Sequence, residues 1–167
     1  MNKQYQQLTK DSDKGFTIIE VVLVLAIAGL IFLMVFIALP ALQRGQRDAQ
    51  RKEDISRISV QLTNYVASTR GAVPSSADGL GNFVRGYLKG TSSTVAGDDY
   101  IDPNGNNYVV RYATAPTEIG QVGYYSKAHC DVNNVEDGVS SSNAARDYAL
   151  TIKLENQNAP YCLDNKS

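Results

Sequence analysis

Glu20 is the residue with the most chemistry to explain. It lies in residues 16–39, a run of 24 residues in which only Thr17 and Glu20 are strongly polar. As a helix rising about 1.5 Å per residue, that run reaches roughly 36 Å, enough to cross a bilayer core of about 30 Å. A carboxylate in such a span costs on the order of 2.5 to 3.5 kcal/mol at the membrane centre and less near an edge, so it needs a partner. The short polar leader before the run offers a source. A cut between Gly15 and Phe16 creates an α-amino group with a reference pKa of about 7.7 to 8.0, largely protonated at neutral pH. Phe16 and Glu20 are i and i+4 on a helix, so the amine can meet the carboxylate within one chain, and an identical neighbour staggered along a shared axis can supply it equally. The second geometry builds a polymer.

Other chemistry is sparse. Cys130 and Cys162 are the only cysteines, an even count in a chain that reads as exported, so a single disulfide is expected. A loop of about 30 residues closed this way contributes roughly 3 to 4 kcal/mol in the chain-entropy model. His129, the only histidine, precedes Cys130. A metal or nucleophile reading there lacks a second ligand pair or CxxC spacing. No Ser/His/Asp set, paired carboxylates or phosphate loop is evident, so catalysis is not expected and no cofactor is called for. The net charge of −1 gives no bulk reason to expect nucleic-acid binding.

These residues need elements to position them. At 167 residues, one membrane-capable helix and one small globular domain are the natural count. Residues 41–70 are rich in helix formers, with Ile55, Ile58, Leu62, Tyr65 and Val66 at the three- and four-residue spacings of one face. The helix is therefore expected to continue past Pro40 into water and lay that stripe on the domain, with Arg57, Gln61 and Asn64 on the polar face. Gly71 and Pro74 stop it. Pro40 predicts a kink or local loosening, and Gly29 and Gly45 are further weak points. Arg44, Arg47, Arg51 and Lys52, interspersed with Asp48, Glu53 and Asp54, follow the span. They read as a solvated collar at the lipid headgroups or, alternatively, as intersubunit ion pairs that set register more than strength.

Residues 71–106 read as a connecting loop, with Phe83, Val84, Tyr87 and Leu88 marking one or two helical turns. Residues 107–113, 121–128 and 147–155 read as strands of a small antiparallel meander packed on the helix, an α+β arrangement. The 161–165 segment is a tail pinned by the disulfide. Of ten tyrosines, Tyr108, Tyr112, Tyr124, Tyr125, Tyr148 and Tyr161 are expected to divide between sheet core and a surface able to make adhesive contacts.

Gly15, Phe16, Thr17 and Glu20, followed by an uninterrupted apolar helix, resemble the class III leader and N-terminus of type IV pilins and the related pseudopilins. The resemblance covers about the first third of the chain. It implies cleavage after Gly15 by a prepilin peptidase, N-methylation of Phe16, and pairing of Glu20 in one subunit with the Phe16 amine of the next. Loosening of the helix between Gly29 and Pro40 inside a filament is also implied, and so is a C-terminal region closed by a Cys pair. The stretch Asp102-Pro103-Asn104-Gly105-Asn106-Asn107-Tyr108 looks like the Asp-Pro-x-Gly-x-x-Tyr loop of major pseudopilins, near which oxygen ligands can bind calcium. Asp98, Asp99, Asp102 and Asn104 are then calcium candidates by chemistry. The spacing is not that of an EF-hand, and an Asx-stabilised turn explains it equally.

The expected organisation is thus leader 1–15, transmembrane and polymerisation helix 16–40, amphipathic continuation 41–70, connecting loop 71–106, and sheet with disulfide-closed end 107–167. The expected function is a structural subunit of a type IV pilus used for adhesion, twitching motility or DNA uptake. It would begin as a single-pass precursor in the cytoplasmic membrane with its domain outside, and end in an extracellular fibre. Partners are further copies of the chain, the prepilin peptidase, the inner-membrane assembly platform and its ATPase, minor pilins, membrane lipid before assembly, and nucleic acid if the pilus takes up DNA. Alternatives are a pseudopilin of a type II secretion system or minor pilin, and an anchored adhesin or binding module that never polymerises. A secretory signal cut after Ala26-Ile27-Ala28 would leave an apolar mature N-terminus and is set aside. An uncleaved anchor would leave Glu20 without a purpose. The basic residues after the span outnumber the three leader lysines, which taken alone favours the opposite orientation. Two facts outweigh that count: a long domain translocates largely regardless of charge, and the cysteines make better sense outside.

Overall fold

A computed structural model describes residues 15–94 and 100–166. Leader residues 1–14 and the calcium candidates Asp98 and Asp99 lie outside the described residues. Helix α1 runs Ile18–Ser68 and contains Pro40. The helix is assigned continuously through Gly29 and Pro40 in the single chain. Two units divide between Pro40 and Ala41. In the first, the side chains of residues 16–39 are exposed apart from half-buried Ala28, and α1 is long and apolar enough to cross a membrane by length and composition.

In the second unit, α1 buries Asp48, Arg51, Asp54, Ile55, Ile58 and Leu62. Positions 48, 51, 55, 58 and 62 follow the three- and four-residue rhythm of one helical face, so the buried stripe is charged at its start and apolar at its end. Helix α2, Ala77–Tyr87, is longer than the expected one or two turns. Ser76 caps it, its hydroxyl accepting from the Gly79 N–H at 3.1 Å. Leu80, Phe83 and Val84 face the core, and Tyr65 of α1 meets Phe83 and Tyr87 edge-on at 5.7 and 5.5 Å between ring centroids.

The main sheet contains β1 (Val109–Tyr112), β2 (Gln121–Ser126), β5 (Tyr148–Ile152) and β6 (Tyr161–Asp164) in the order β1-β2-β5-β6. A separate pair joins β3 (Ala128–Cys130) to β4 (Val139–Ser141). The α+β class is as expected, but the sheet is mixed. β1 and β2 run parallel, in the register Val110↔Val122 and Tyr112↔Tyr124, and the remaining pairs are antiparallel. Four residues of β1 advance about 13 Å, while the intervening 113–120 segment can span roughly twice that, so it returns without a helix. Positive φ at Ala113 (47°) and Gly120 (85°) turns the chain at both ends of the return. β5 is buried at every position and meets Ile55, Ile58 and Leu62 of α1 in one core with Val110, Val122 and Tyr124. The C-terminal segment expected as a tail is strand β6. Cys130 and Cys162 form a disulfide with Cα atoms 5.7 Å apart, tying β3 to β6.

Candidate functional site

Two constellations stand out, one at the start of α1 and one where α1 meets the domain. At the first, Thr17 precedes the helix and Glu20 is its third residue. The Thr17 N–H and hydroxyl both donate to Glu20 Oε2, at 3.0 and 2.9 Å, and the Glu20 N–H points back to Thr17 Oγ1 at 3.4 Å. This reciprocal arrangement is a capping box, which satisfies backbone donors that a helix start leaves open. Thr-x-x-Glu before an apolar run is a legible signature of it. Glu20 therefore has a role within a single chain, which corrects the expectation that an uncleaved anchor would leave it without purpose. The box also seats the carboxylate beside Phe16, the residue whose amine a cut after Gly15 would free.

The second constellation surrounds Arg51, which is fully buried. Its guanidinium grips Asp102 side-on, Nε to Oδ2 at 2.7 Å and Nη2 to Oδ1 at 3.2 Å, and its Nη1 donates to Asp48 at 3.0 Å and Glu155 at 2.8 Å. Four of its five N–H donors are thus used. Arg47 clasps Glu155 with a second fork, at 2.8 and 2.6 Å. Asp48 also accepts the backbone N–H groups of Glu155 and Asn156, at 2.9 and 3.0 Å. One turn on, buried Asp54 accepts the Tyr108 hydroxyl at 2.7 Å and pairs with Arg57.

The electrostatics follow from these bonds. Burial works against the charged form of Arg51, yet the bonds to Asp102 and Glu155 outweigh it and hold the guanidinium above its ordinary pKa. The Arg47 fork, with Arg51 beside it, pulls Glu155 down from 4.5 to about 2. Burial, then the bond to Asp54, pushes Tyr108 far up, so it remains a donor.

Arg51 and Asp54 therefore belong neither to a solvated collar nor to charges left for a neighbour, because buried pairs within the chain occupy them. Arg47 is half-buried in the same network. Arg44 and Glu53 are exposed, and Lys52 lies over the Tyr161 ring at 5.0 Å. Asp102 and Tyr108, the two ends of the Asp-Pro-x-Gly-x-x-Tyr loop, both reach α1. The Asn104 N–H closes an Asx turn on Asp102 at 2.9 Å, so both Asp102 oxygens are engaged by protein donors. Among the described residues no group of three or more His, Cys, Asp or Glu is placed to hold a metal. Cys130 lies in the disulfide, which closes the nucleophile reading beside His129.

Residues 10–36 match the family model described as the prokaryotic N-terminal methylation motif. The N-terminus is of the prepilin type. That motif contains Gly15, Phe16, Thr17, Glu20 and Gly29, and thus the capping box together with all but the last three residues of the apolar run 16–39. A prepilin-type leader implies processing by a prepilin peptidase, and with the apolar helix behind it fits a membrane-anchored precursor of the type IV pilin and pseudopilin kind. No curated protein and no solved structure matches the chain.

Proposed function

We propose that this chain is a structural subunit of a type IV pilus. In this reading it is cleaved after Gly15, methylated at Phe16, and assembled through residues 16–40 into a surface fibre by transferring that helix from lipid to a core of identical neighbours. The observation that carries it is the prepilin motif at the head of a helix whose apolar side chains have no cover in the single chain. Glu20 directs the docking by pairing with the Phe16 amine of the next subunit, and Gly29 and Pro40 supply the weak points at which the helix loosens in the fibre. An assembly platform with its ATPase drives the transfer, minor pilins accompany it, and the fibre serves adhesion, twitching or DNA uptake without catalysis. The capping box favours a second reading, an anchored module that does not polymerise, because it satisfies Glu20 without a neighbour.

Two variants separate these readings. Glu20→Gln keeps an oxygen for the Thr17 N–H but removes the charge, whereas Thr17→Ala removes the hydroxyl of the box and keeps the charge. Mass spectrometry of filaments sheared from cells should find the peptide beginning at methylated Phe16, lose it in Glu20→Gln, and retain it in Thr17→Ala. Full filament yield from Glu20→Gln would overturn the charge-pairing role, and finding only the intact Met1 leader would favour the anchored module.

A further inference from the structure

A concave pocket of about 410 Å³ lies where the end of α1, the β2–β3 junction and the segment before β5 converge. Each element brings one cation to it: Arg70, Lys127 and Arg146. All three residues are exposed, and among the described residues none of the three side chains has an ion-pair or hydrogen-bond partner. The neighbouring acid, Asp147, is buried and already taken by Lys166 and Ser142. Three unpaired like charges around one concavity repel each other, and the carbonyl end of α1 offsets them by only about half a charge.

The backbone fixes where two of these residues leave the chain. Arg70 and Lys127 have φ of 59° and 54°, in the left-handed region that costs a non-glycine residue on the order of 1 kcal/mol or more. Lys127 is tied on both sides, its N–H donating to the Asp147 carbonyl at 2.7 Å and its carbonyl accepting from the Ser142 N–H at 2.6 Å. The Arg146 guanidinium lies over Gly71, where an added Cβ would come within 2.8 Å of Cζ. Any other residue at position 71 would displace it. Ser75 and Ser126 complete the polar wall.

We propose that this pocket binds a phosphate-monoester-class dianion. Three cationic residues from three separate segments around one concavity suit a tetrahedral group with several oxygens and close to two charges. A carboxylate offers one charge and two coplanar oxygens, which a single guanidinium fork would satisfy. The dianion is either free inorganic phosphate or a phosphate carried on a small sugar, and the pocket has room for both.

The test is an NMR titration of the full chain in nonionic detergent micelles at fixed ionic strength, first with inorganic phosphate and then with glucose 6-phosphate. Saturable shifts should appear at the backbone amides of Gly71 and Lys127 and at the Arg146 side-chain N–H, with acetate weaker. Arg146→Gln and, independently, Lys127→Gln should each weaken binding about tenfold, equivalent to about 1.4 kcal/mol. Arg44→Gln, which changes an exposed cation elsewhere, should leave it unchanged. Tighter binding of the sugar phosphate identifies a carried ligand, and equal binding identifies the free ion. Non-saturable shifts, undiminished binding in both pocket variants, or tighter binding of a short DNA duplex at the same amides would overturn the assignment.

Discussion

Replacing Arg51 with Met tests whether the buried charges hold α1 to the domain. The substitution preserves length and helix propensity while removing every bond the guanidinium makes. Its partners are not equally affected. Glu155 keeps the Arg47 fork, and Asp48 keeps two backbone N–H groups. Asp102, only 2% exposed, keeps the Asn104 N–H alone among the described residues. The loss is therefore concentrated in one uncompensated carboxylate, and breaking a buried pair from one side costs about 3 to 5 kcal/mol. In a domain of this size about 1 kcal/mol moves Tm by roughly 3 to 5 °C, so Arg51→Met should lower it by roughly 10 to 25 °C. Adding Asp102→Asn removes the stranded charge while retaining an oxygen for the Asx turn, and the double variant should recover most of the loss. Thermal unfolding of the four proteins of the cycle, followed by near-UV circular dichroism in nonionic detergent, yields the coupling energy. A cost below about 1 kcal/mol for Arg51→Met, or a double variant no better than the sum of its singles, would refute the reasoning.

Glu155 is held down to about 2 in the folded protein, so its pairing contributes stability that is present above about pH 4.5 and is lost as pH falls toward 2. The difference corresponds to at most about 3 kcal/mol, and Glu155→Gln should flatten acid unfolding in that window without adding any loss below it. Reducing the Cys130–Cys162 bond, or replacing both cysteines with Ser, should cost roughly 3 to 4 kcal/mol through its 32-residue separation, read as a lower denaturant midpoint. Gly90→Ala would place a Cβ 2.1 Å from the Thr94 carbonyl oxygen and 2.8 Å from Val84, so it should destabilise by roughly 1 to 3 kcal/mol; an unchanged Tm would show that the 90–94 turn is free to move.

What the sequence made legible depended on the range of the signal. The prepilin motif is contiguous, and the stripe Ile55, Ile58, Leu62 needs only the helical period, so both could be read locally. Asp48, Arg51 and Asp54 lie on the same face as that stripe, yet hydropathy assigns charged residues to solvent. Their partners outside the helix are 51 to 108 residues away in the chain, where no local pattern reports them. Helix α2 is longer than its local pattern suggests because Gly79, Gly81 and Gly86 depress its propensity, while the Ser76 cap and the Phe83 and Val84 packing restore it. The parallel β1–β2 pairing has no local signature for a related reason. Eight intervening residues with turn chemistry suggest a reversal, and only the tertiary path of 113–120 makes it a return. The Thr17–Glu20 box is local and legible as Thr-x-x-Glu before an apolar run.

The charged half of the stripe does something the apolar half cannot. Ile55, Ile58 and Leu62 repeat at near-equivalent positions, so a helix sliding about 5.4 Å along its axis would still bury apolar side chains. Arg51 with Asp102, and Asp54 with Tyr108, do not tolerate that slide, because directional bonds into buried carboxylates would be left unmade. We infer that the network sets the register of α1 on the sheet, and this role is separable from stability. Arg51→Met with Asp102→Asn should regain most of the melting temperature and still show additional amide signals for Ile55, Ile58 and Leu62, as alternative registers become populated. A single sharp set of signals for those three residues in the double variant would show that apolar packing and the Asp54–Tyr108 bond suffice to fix the helix. In the fibre proposed above, a registered helix would transmit force to the domain and a sliding one would dissipate it, which is a physical reason to keep charge where an apolar core would fold as well.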